Sequence, residues 1–382
     1  MSYINETATS HHSLNRLKVL DLTRVLAGPL CTMLLGDMGA NVIKIERPEG
    51  GDETRGWGPP FDHRGESAYY LSVNRNKISV SADLSTADGI ELVRRLAAEA
   101  DVVVENFRPG MLEKRGLGAE SLLAANQRLV WCTITGFGDG LARPGYDFVV
   151  QAESGWMSIT GDPDGEPVKH GIALVDVIAG KDAALAILGA LVARGGSGIG
   201  RRVTVSLAAS AQAALVNVAQ NALVSGAPPR RWGNAHANLV PYQLFHATDR
   251  ALVIAVGNDA QWTACARALD LDPLARDPSL ATNAGRLAQR TRVTDSIASR
   301  VRERAAAHWI ARLDTHGVPC GVVRTIGEVL ATVDASPLYG MPVAVPGSVR
   351  RPPPMLGEHT EIVTRHGWDA FSTIPGENGK TG

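Results

Sequence analysis

One carboxylate in the sequence occupies a position from which it could attack a substrate. Asp176 follows the apolar run 171–175 and opens a long apolar stretch, so the pattern predicts a turn from a strand into a helix. A carboxylate at such a turn can cap the helix by accepting backbone N–H groups. It can also lie at the base of a crevice, where helix N-termini favour its ionised form and where it could act as a nucleophile. The two interpretations are compatible, because one oxygen could cap while the other attacks.

A second candidate site is the loop after the first predicted strand, residues 23–29. The loop reads TRVLAGP and lacks the GxGxxG pattern, although Glu46 ends the second strand about 20 residues further on, as in a dinucleotide-binding fold. Arg47 follows Glu46 directly. The missing glycines disfavour a nicotinamide cofactor, whereas a helix N-terminus beside a guanidinium suits a phosphate-bearing ligand. We therefore expect an anion site without a nucleotide redox cofactor.

A polar, glycine-rich loop at 52–57 follows the second predicted strand and includes Arg55. Strand ends in an open parallel sheet face the ligand crevice, so this loop could contact a substrate. A solvated loop with no ligand is the alternative, and the residues alone leave both open.

Other motifs and the composition exclude several classes of protein. The glycines at 196–200 follow a helix and precede a strand, which predicts a helix end rather than a phosphate loop. The sequence has no GxSxG elbow, no GxxxxGK[ST] loop and no HExxH, so we expect no bound metal. Lys and Arg number 38 against 39 Asp and Glu, a net charge of −1, which argues against a nucleic-acid partner.

Neither the termini nor the cysteines suggest a membrane or an oxidising compartment. The sequence has no run of about 18 apolar residues, and residues 1–15 lack the apolar core of a signal peptide. The four cysteines form no CxxC pair. We expect a cytoplasmic protein that does not enter a membrane.

Strand and helix patterns alternate along the first part of the chain. Strands are predicted at 19–22, 41–45, 102–104, 129–135 and 203–207, and helices at 29–37, 84–100, 121–126, 177–193 and 208–223. The helix at 84–100 takes Ser85 as its N-cap. This alternation predicts an α/β protein with a doubly wound, parallel, Rossmann-like sheet.

A smaller α/β pattern follows a turn-rich stretch at 226–238. It has strands at 252–256 and near 318–323, with helices at 260–269 and within 286–313. We predict a large domain over 1–225 whose first ~15 residues are disordered, a small α/β domain over 226–330, and a return to the large domain over 331–382.

Several segments in order resemble the class III CoA-transferases, the family of formyl-CoA transferase and carnitine CoA-transferase. They include VLDLTRVLAGPLCTMLLGDMGANVIKIE, GDETRGWGPP, VVVENFRPG, TITGFG, GYDFVVQAESG, IALVDVIAGKDAAL and GNAHANLVPY. GDETRGWGPPF and RWGNAHANLVPYQ look closest to the succinate–hydroxymethylglutarate CoA-transferases. The resemblance covers about 17–363 and implies coenzyme A as part of the acyl-CoA substrate, together with an interlocked homodimer.

The resemblance also assigns roles to individual residues. Asp176 matches the family's nucleophile. The positions that match the family's CoA contacts are Leu26, Ala27, Arg47, Ala82, Ser85, Asn106, Phe107, Arg108, Lys114, Thr135, Gly136, Phe137 and Gly138. Thr135 stands where some members have a lysine, so that contact is altered here.

The substrate side of the site is implied less directly. The glycine-rich lid of formyl-CoA transferase is missing from 226–242, and the segment around His236 and Asn238 is a candidate to cover the site. A dicarboxylate substrate such as succinyl-CoA needs a cation for its second carboxylate, for which Arg55, Arg108 and His236 are candidates. An ion pair from Arg55 to Asp52 or Glu53 is the alternative use of that arginine.

Two other functions fit the same scaffold. Acyl-CoA racemases of this family use a histidine where this sequence has Tyr146, and a phenol with a pKa near ~10 is a poor base at neutral pH. A non-catalytic acyl-CoA-binding protein would not need Asp176. We therefore predict a CoA-transferase that acts through an aspartyl-CoA thioester, with a carboxylic acid as acceptor.

Overall fold

The structure is a computed structural model that describes residues 12–374. The predicted disorder of the first fifteen residues falls mostly outside this range, but residues 12–15 contradict it. The Leu14 N–H donates to the Met38 carbonyl at 3.1 Å, and the His12 ring lies 2.9 Å from the Ser348 hydroxyl. This short segment packs as an ordered turn.

The chain divides into two compact units. Within residues 12–374, the first unit contains 12–156, 170–220 and 333–374, and the second contains 157–169 and 221–332. The predicted boundaries lay at 225/226 and 330/331. The clearest difference is the segment 157–169, which we had assigned to the large domain and which belongs to the second unit.

The first unit contains a six-stranded, fully parallel sheet in the order β3-β2-β1-β4-β5-β6. Its strands are β1 (Lys18–Leu22), β2 (Asn41–Glu46), β3 (Lys77–Ser81), β4 (Val102–Glu105), β5 (Val130–Thr135) and β6 (Arg202–Ser206). The predicted parallel sheet is confirmed. Strand β3 was missed because KISVS has only two apolar residues and begins with a buried lysine.

Helices cover both faces of this sheet. They are α1 (Ala27–Asp37), α2 (Ala68–Leu71), α3 (Ala87–Glu99), α4 (Ala119–Ala125), α5 (Asp147–Glu153), α6 (Trp156–Ile159), α7 (Leu174–Ser197), α8 (Leu207–Ala213) and α9 (Val216–Ser225), the sixth and ninth crossing a unit boundary. Val19 and Val104 pack towards α1 and α7, while Leu20 and Val103 pack towards α3 and α4. Strand residues buried on both faces explain the continuous apolar runs of the sequence.

Two predicted helices differ from those observed. Helix α3 begins with Thr86 as its N-cap, whose hydroxyl accepts the Gly89 N–H, whereas the Ser85 hydroxyl donates to Asp83. The predicted helix 208–223 is two helices, and α9 begins at Val216, whose φ is positive at 28°. In the described residues no single helix is long and apolar enough to cross a membrane; by length and composition, only α8 and α9 taken together, bent by 63°, meet that test.

The second unit has a three-stranded antiparallel sheet. Its strands are β7 (Tyr242–His246), β8 (Ala251–Ala255) and β9 (Cys320–Val322), in that order. Its helices are α10 (Asp259–Ala268), α11 (Asp272–Ala275), α12 (Asn283–Ala288), α13 (Arg290–Val301), α14 (Ala306–Thr315) and α15 (Ile326–Leu330). Trp262 and Trp309 are buried in its core, which is separate from the cores of the first unit.

The segment after residue 333 rejoins the first unit and ends with α16 (Thr360–His366) and α17 (Ala370–Thr373). The Asn76 side-chain oxygen, beside β3, accepts the N–H groups of Arg350 and Arg351 at 2.6 and 3.0 Å. The Ser79 hydroxyl on β3 accepts the Gly357 N–H at 2.9 Å. The edge of the sheet at β3 is therefore completed by this late segment.

Candidate active site

Asp176 lies in the first turn of α7, but not as the sequence predicted. The helix begins at Leu174, after a bend at 171–172, so no strand leads into it. The Asp176 carboxylate accepts no hydrogen bond from any residue in 12–374, and the predicted capping role is wrong. The carboxylate is only partly buried and is free to meet a substrate.

The N-terminus of α7 is capped by a different carboxylate, that of Asp147 in the first turn of α5. Its Oδ1 accepts the N–H groups of Val175 at 2.8 Å and Asp176 at 3.3 Å. Its Oδ2 accepts a hydrogen bond from Gln151 at 2.6 Å, and the Gln151 oxygen in turn accepts the His170 N–H at 2.9 Å. Because Asp147 takes the cap, the Asp176 carboxylate is left for chemistry.

The pKa of Asp176 is raised from its ordinary value to about 7. Desolvation by burial is the main cause, and the negative charge of Asp147 adds to it. We had expected helix N-termini to favour the ionised form, which would lower the pKa. That expectation is wrong, because the first-turn amides of α7 are already paired with Asp147.

Tyr69 is a residue of the same site that the sequence did not reveal. Its pKa is raised to about 12, first by burial and then by the charges of Asp176, Asp147 and Asp52. Its phenol is therefore protonated at neutral pH and can donate a hydrogen bond near Asp176. Trp57 packs edge-on against Tyr69 at 5.1 Å between ring centroids and is 43% exposed. Tyr69 is one of two consecutive tyrosines, and Trp57 belongs to the polar loop 52–57. Neither residue is part of a motif that would have identified it from the sequence.

The loop after β1 completes the surroundings of Asp176. Val25 and Leu26 pack in one apolar cluster with Tyr69 and Ala173. Further along α7, a side-chain carbon at Gly180 would lie only 2.6 Å from the Ala27 carbonyl oxygen, so α1 and α7 approach closely there. Leu26 and Ala27, predicted as CoA contacts, are thus adjacent to the helix that carries the nucleophile.

A cavity of about 250 Å³ opens at the carboxyl ends of β1, β2 and β3. It brings together four predicted CoA contacts, Arg47, Ala82, Ser85 and Phe107, with Arg24 and Arg115. A neighbouring cavity of about 180 Å³ at the ends of β4 and β5 contains Phe107, Arg108 and Thr135. Both cavities lie at the sheet edge where open α/β folds bind ligands.

The remaining predicted contacts lie outside these two cavities. Lys114 is exposed in a 3₁₀ turn (Glu113–Arg115). The N–H of Gly138 donates to the Thr135 hydroxyl at 3.0 Å, Gly136 packs against Gly145, and Phe137 stacks with Arg143. Asn106 uses its amide on the backbone of Arg24, donating to the carbonyl at 2.8 Å and accepting the N–H at 3.0 Å. Asn106 is therefore a structural clamp in this state.

Arg55 is not available to a substrate carboxylate. Its guanidinium is buried, pairs with Glu46 at 2.7 and 2.8 Å and with Glu66 at 2.5 Å, and lies over the Tyr70 ring. The prediction of a substrate role is contradicted by this pairing. The alternative partners, Asp52 and Glu53, were also wrong, since Asp52 pairs with Lys44 and Glu53 with Arg24.

His236 and Asn238 lie in the second unit, where the Asn238 N–H donates to the His236 Nδ1 at 3.0 Å. The Asn238 side chain bonds Asn221, and the His236 ring packs on Tyr242. Tyr146 immediately precedes Asp147 and is 58% exposed. In the described part of the chain no group of three or more His, Cys, Asp or Glu is arranged to hold a metal.

The sequence model of CoA-transferase family III matches residues 14–360. The chain belongs to this family. The transferase is 40% identical over 373 residues to the succinate–glutarate CoA-transferase of Agrobacterium fabrum, covering 91% of this chain and 93% of that protein. It is 39% identical over 375 residues to the succinyl-CoA:glutarate CoA-transferase of Mus musculus, covering 92% and 86%. The predicted family and enzyme class are confirmed.

Solved structures show the same fold. The transferase superposes on a CaiB/BaiF family protein from Brucella suis with a TM-score of 0.81 at 40% identity, covering 92% of this chain and 98% of that chain. It superposes on Rv3272 from Mycobacterium tuberculosis with a TM-score of 0.81 at 29% identity, covering 92% and 99%. The α/β architecture is therefore a property of the family.

Proposed function

We propose that the transferase moves CoA from succinyl-CoA to a dicarboxylic acid, with Asp176 as the nucleophile. Asp176 is assigned as the nucleophile because its carboxylate, in the first turn of α7, accepts no hydrogen bond from any residue in 12–374. Asp147 caps the helix in its place. The succinyl donor is supported by relatives named for succinate or succinyl-CoA, which include glutarate, mesaconate and citramalate transferases.

The reaction begins when an Asp176 oxygen attacks the thioester carbonyl and CoA leaves as the thiolate. The resulting mixed anhydride is attacked by that thiolate at the aspartyl carbonyl, which releases the donor acid and forms an aspartyl-CoA thioester. The acceptor carboxylate attacks this thioester, and the released thiolate then attacks the acceptor carbonyl of the new anhydride. Acyl-CoA leaves and the Asp176 carboxylate is restored.

The raised pKa of Asp176 favours this series of reaction steps. Burial and the charge of Asp147 destabilise the free carboxylate, whereas the anhydride and thioester carry no charge on the aspartyl group. Removing this unfavourable charge lowers the barrier for attack relative to a fully solvated carboxylate. With a pKa of about 7, a substantial fraction of Asp176 is still ionised at neutral pH.

Oxyanions formed in these steps need N–H or O–H donors. In residues 12–374 the N–H groups of Leu26 and Ala27, at the start of α1, have no acceptor, and the Tyr69 phenol is protonated. We assign these groups the role of oxyanion donors. The Gly138 N–H is not available for that role, because it donates to the Thr135 hydroxyl.

The cavity at the ends of β1–β3 is the proposed site for CoA. Three guanidiniums line it, but Arg24 pairs with Glu53 and Arg115 donates to the carbonyls of Leu84 and Met111. Among residues 12–374, Arg47 bonds only through its Nε, to the Gly51 carbonyl at 3.0 Å, so its terminal N–H groups remain for a phosphate.

A homodimer is the proposed assembly. Leu185, Val192 and Ile199 recur every seventh residue along and just beyond α7 and are 69%, 80% and 60% exposed. Leu223 and Val224 on α9 are each 78% exposed. Apolar side chains in such rows favour burial against a partner, for which a second copy of this chain is the simplest candidate. Light scattering on the purified protein tests this, since a monomer would contradict it.

The function is tested by trapping. The protein is incubated with succinyl-CoA, then with hydroxylamine, and the peptide containing Asp176 is analysed by mass spectrometry. A hydroxamate at Asp176, together with succinyl-CoA-dependent formation of glutaryl-CoA from glutarate, is the expected result. Transfer without a modified Asp176 would contradict the mechanism, and no transfer across a panel of mono- and dicarboxylic acids would contradict the function.

A further inference from the structure

The loop 23–25, between β1 and α1, is held almost entirely by side chains. Every N–H and carbonyl of these three residues except the Val25 carbonyl bonds a side chain. The Thr23 N–H donates to Asp21 Oδ1 at 2.9 Å, and the Thr23 carbonyl accepts from Lys44 Nζ at 2.8 Å. The Arg24 N–H donates to the Asn106 side-chain oxygen at 3.0 Å, and the Arg24 carbonyl accepts from the Asn106 amide at 2.8 Å. The Val25 N–H donates to both oxygens of Asp52, at 3.2 and 3.3 Å.

This arrangement holds Val25 in an unfavourable conformation. Its φ is +72°, in the left-handed region that a β-branched residue rarely adopts. A residue persists there only when its surroundings determine the backbone. The Asp52 carboxylate, which accepts the Val25 N–H, provides that constraint.

The side chains that hold the loop 23–25 come from three separate segments: Lys44 and Asp52 are buried, and Asn106 is partly buried. Lys44 on β2 and Asp52 after it form an ion pair at 3.0 Å, and neither side chain is exposed to solvent. Asp52 also accepts the Thr54 N–H at 3.1 Å and its hydroxyl at 2.8 Å. Asn106 follows β4. Burying a charged pair is costly. Here Lys44 also donates to the Thr23 carbonyl, and Asp52 divides its other hydrogen bonds between Val25 and Thr54.

The loop leads directly to the groups assigned to the oxyanion. Leu26 and Ala27 follow Val25, Leu26 packs in the cluster that holds Tyr69 and Ala173, and the Ala27 carbonyl meets α7 at Gly180. A rotation at Val25 would redirect both N–H groups relative to Asp176. We propose that Lys44, Asp52 and Asn106 are positioning residues that fix the 23–25 loop and thereby aim the Leu26 and Ala27 N–H groups for CoA transfer. This inference rests on the proposed function.

The test compares two double variants that both remove the buried ion pair. Lys44→Met with Asp52→Asn keeps an oxygen that accepts the Val25 N–H, and Lys44→Met with Asp52→Leu does not. Both pairs lose Lys44, so the Asp52 acceptor is read from the difference between them. We expect kcat to be about tenfold or more lower in the Leu pair than in the Asn pair, with a smaller difference in the KM for succinyl-CoA. Equal kcat in the two pairs would overturn the proposal.

A rescue separates positioning from general destabilisation. Adding Val25→Gly to the Leu pair should recover most of the lost kcat, because glycine adopts a positive φ without a clamp. Absence of recovery at equal thermal stability would overturn the proposal. Asn106→Ala, which leaves no buried charge, should lower kcat. A raised KM with unchanged kcat would instead make Asn106 a CoA contact and overturn its positioning role.

Amide hydrogen exchange gives a readout that needs no turnover. In peptides covering residues 23–30, exchange should be faster in the Leu pair than in the Asn pair, and slowest in the wild type, which keeps Lys44. If the wild type transfers CoA between no pair of acids, the proposed function fails, but the exchange experiment still tests whether these side chains fix the loop 23–25. Equal protection of the loop in the two double variants would overturn that positioning role.

Discussion

At the scale of single residues, two carboxylates have different roles in the site: Asp147 caps α7, and Asp176 is left without a hydrogen-bond donor among residues 12–374. Asp147 pairs with backbone N–H groups and Gln151, whereas Asp176 has no hydrogen-bond donor among the described residues. Two aspartates that meet at the start of α7, one from α5 and one from α7, thus have opposite electrostatic environments. A fixed, paired carboxylate beside a desolvated one raises the pKa of the second.

Asp176→Asn should abolish CoA transfer and hydroxylamine trapping while acyl-CoA still binds. The amide retains the shape of the side chain but cannot form the anhydride. Steady-state assays with succinyl-CoA and glutarate, alongside a binding titration, measure both effects. Asp164→Asn, in the second unit, is a matched control that should keep wild-type activity. Turnover above a small fraction of wild type, with deamidation excluded by mass, would show that another group is the nucleophile.

The same variant should be more stable than the wild type, by an amount that grows with pH. The folded protein holds the Asp176 proton up to about pH 7, but the unfolded chain releases it near the ordinary carboxyl pKa. Wild-type stability contributed by this group therefore falls as the pH rises between these two values. Scanning calorimetry should show a larger rise in Tm for Asp176→Asn at pH 8 than at pH 5. An equal rise at both would contradict the raised pKa.

At the scale of elements, the contact between α1 and α7 sets the distance from the β1 loop to Asp176. Gly180→Ala would place a carbon 2.6 Å from the Ala27 carbonyl oxygen, so the helices must separate. We expect kcat to fall about tenfold and Tm to drop by several degrees. Gly189→Ala on the same helix has open space and should raise stability by about 0.5–1 kcal/mol. Equal effects from the two substitutions would contradict the importance of the close approach.

The buried Arg55 joins β2, the 3₁₀ turn (Glu53–Gly56) and α2 through Glu46, Glu66 and Tyr70. Arg55→Met would leave two carboxylates buried without their partner, at a cost of about 3–5 kcal/mol. Denaturant unfolding should show this loss. The ratio of kcat/KM for succinyl-CoA and butyryl-CoA should stay at its wild-type value. A change in that ratio would show that Arg55 does contact the distal carboxylate of the substrate.

Much of this element order could be predicted from the sequence, and the failures share one cause. Apolar runs separated by glycine and capping residues located five of the six parallel strands, and the order of motifs identified the family. The cap on α7 comes from Asp147, which lies 29 positions before Asp176 in the chain. The partners of Arg55, Glu46 and Glu66, lie on two different segments. Local pattern carries no information on such pairings, so Asp176 was wrongly predicted to cap α7 and Arg55 was given the wrong partners. Tyr69 and strand β3 were missed for the same reason, since only the folded chain shows which polar residues are buried.

At the scale of the whole molecule, the question is which acids the transferase selects. Succinyl-CoA and butyryl-CoA differ mainly in the distal carboxylate, and a site built for that charge leaves a cation unpaired when it is missing. We expect butyryl-CoA to be at least about tenfold poorer in kcat/KM, or about 1.4 kcal/mol. With Arg55 occupied, Arg108 and His236 remain the candidates for this cation, and Arg108→Gln and His236→Gln test each. Equal use of both donors would contradict the dicarboxylate specificity and leave the transferase class unchanged.

The return of residues 333–374 to the first unit has a consequence for synthesis on the ribosome. The Arg75 guanidinium pairs with the buried Asp37 and also donates to the carbonyls of Tyr339 and Met341, while Asn76 takes the N–H groups of Arg350 and Arg351. Until that segment emerges, Arg75 and Asn76 can still bond Asp37 and β3 can still pair with β2, but their hydrogen bonds to residues 339–351 are missing. The second unit can be completed first, although its sequence is inserted into that of the first. Until residues 333–374 have been made, the nascent chain therefore exposes the β3 edge of its sheet, and an exposed edge is a template for pairing with another chain.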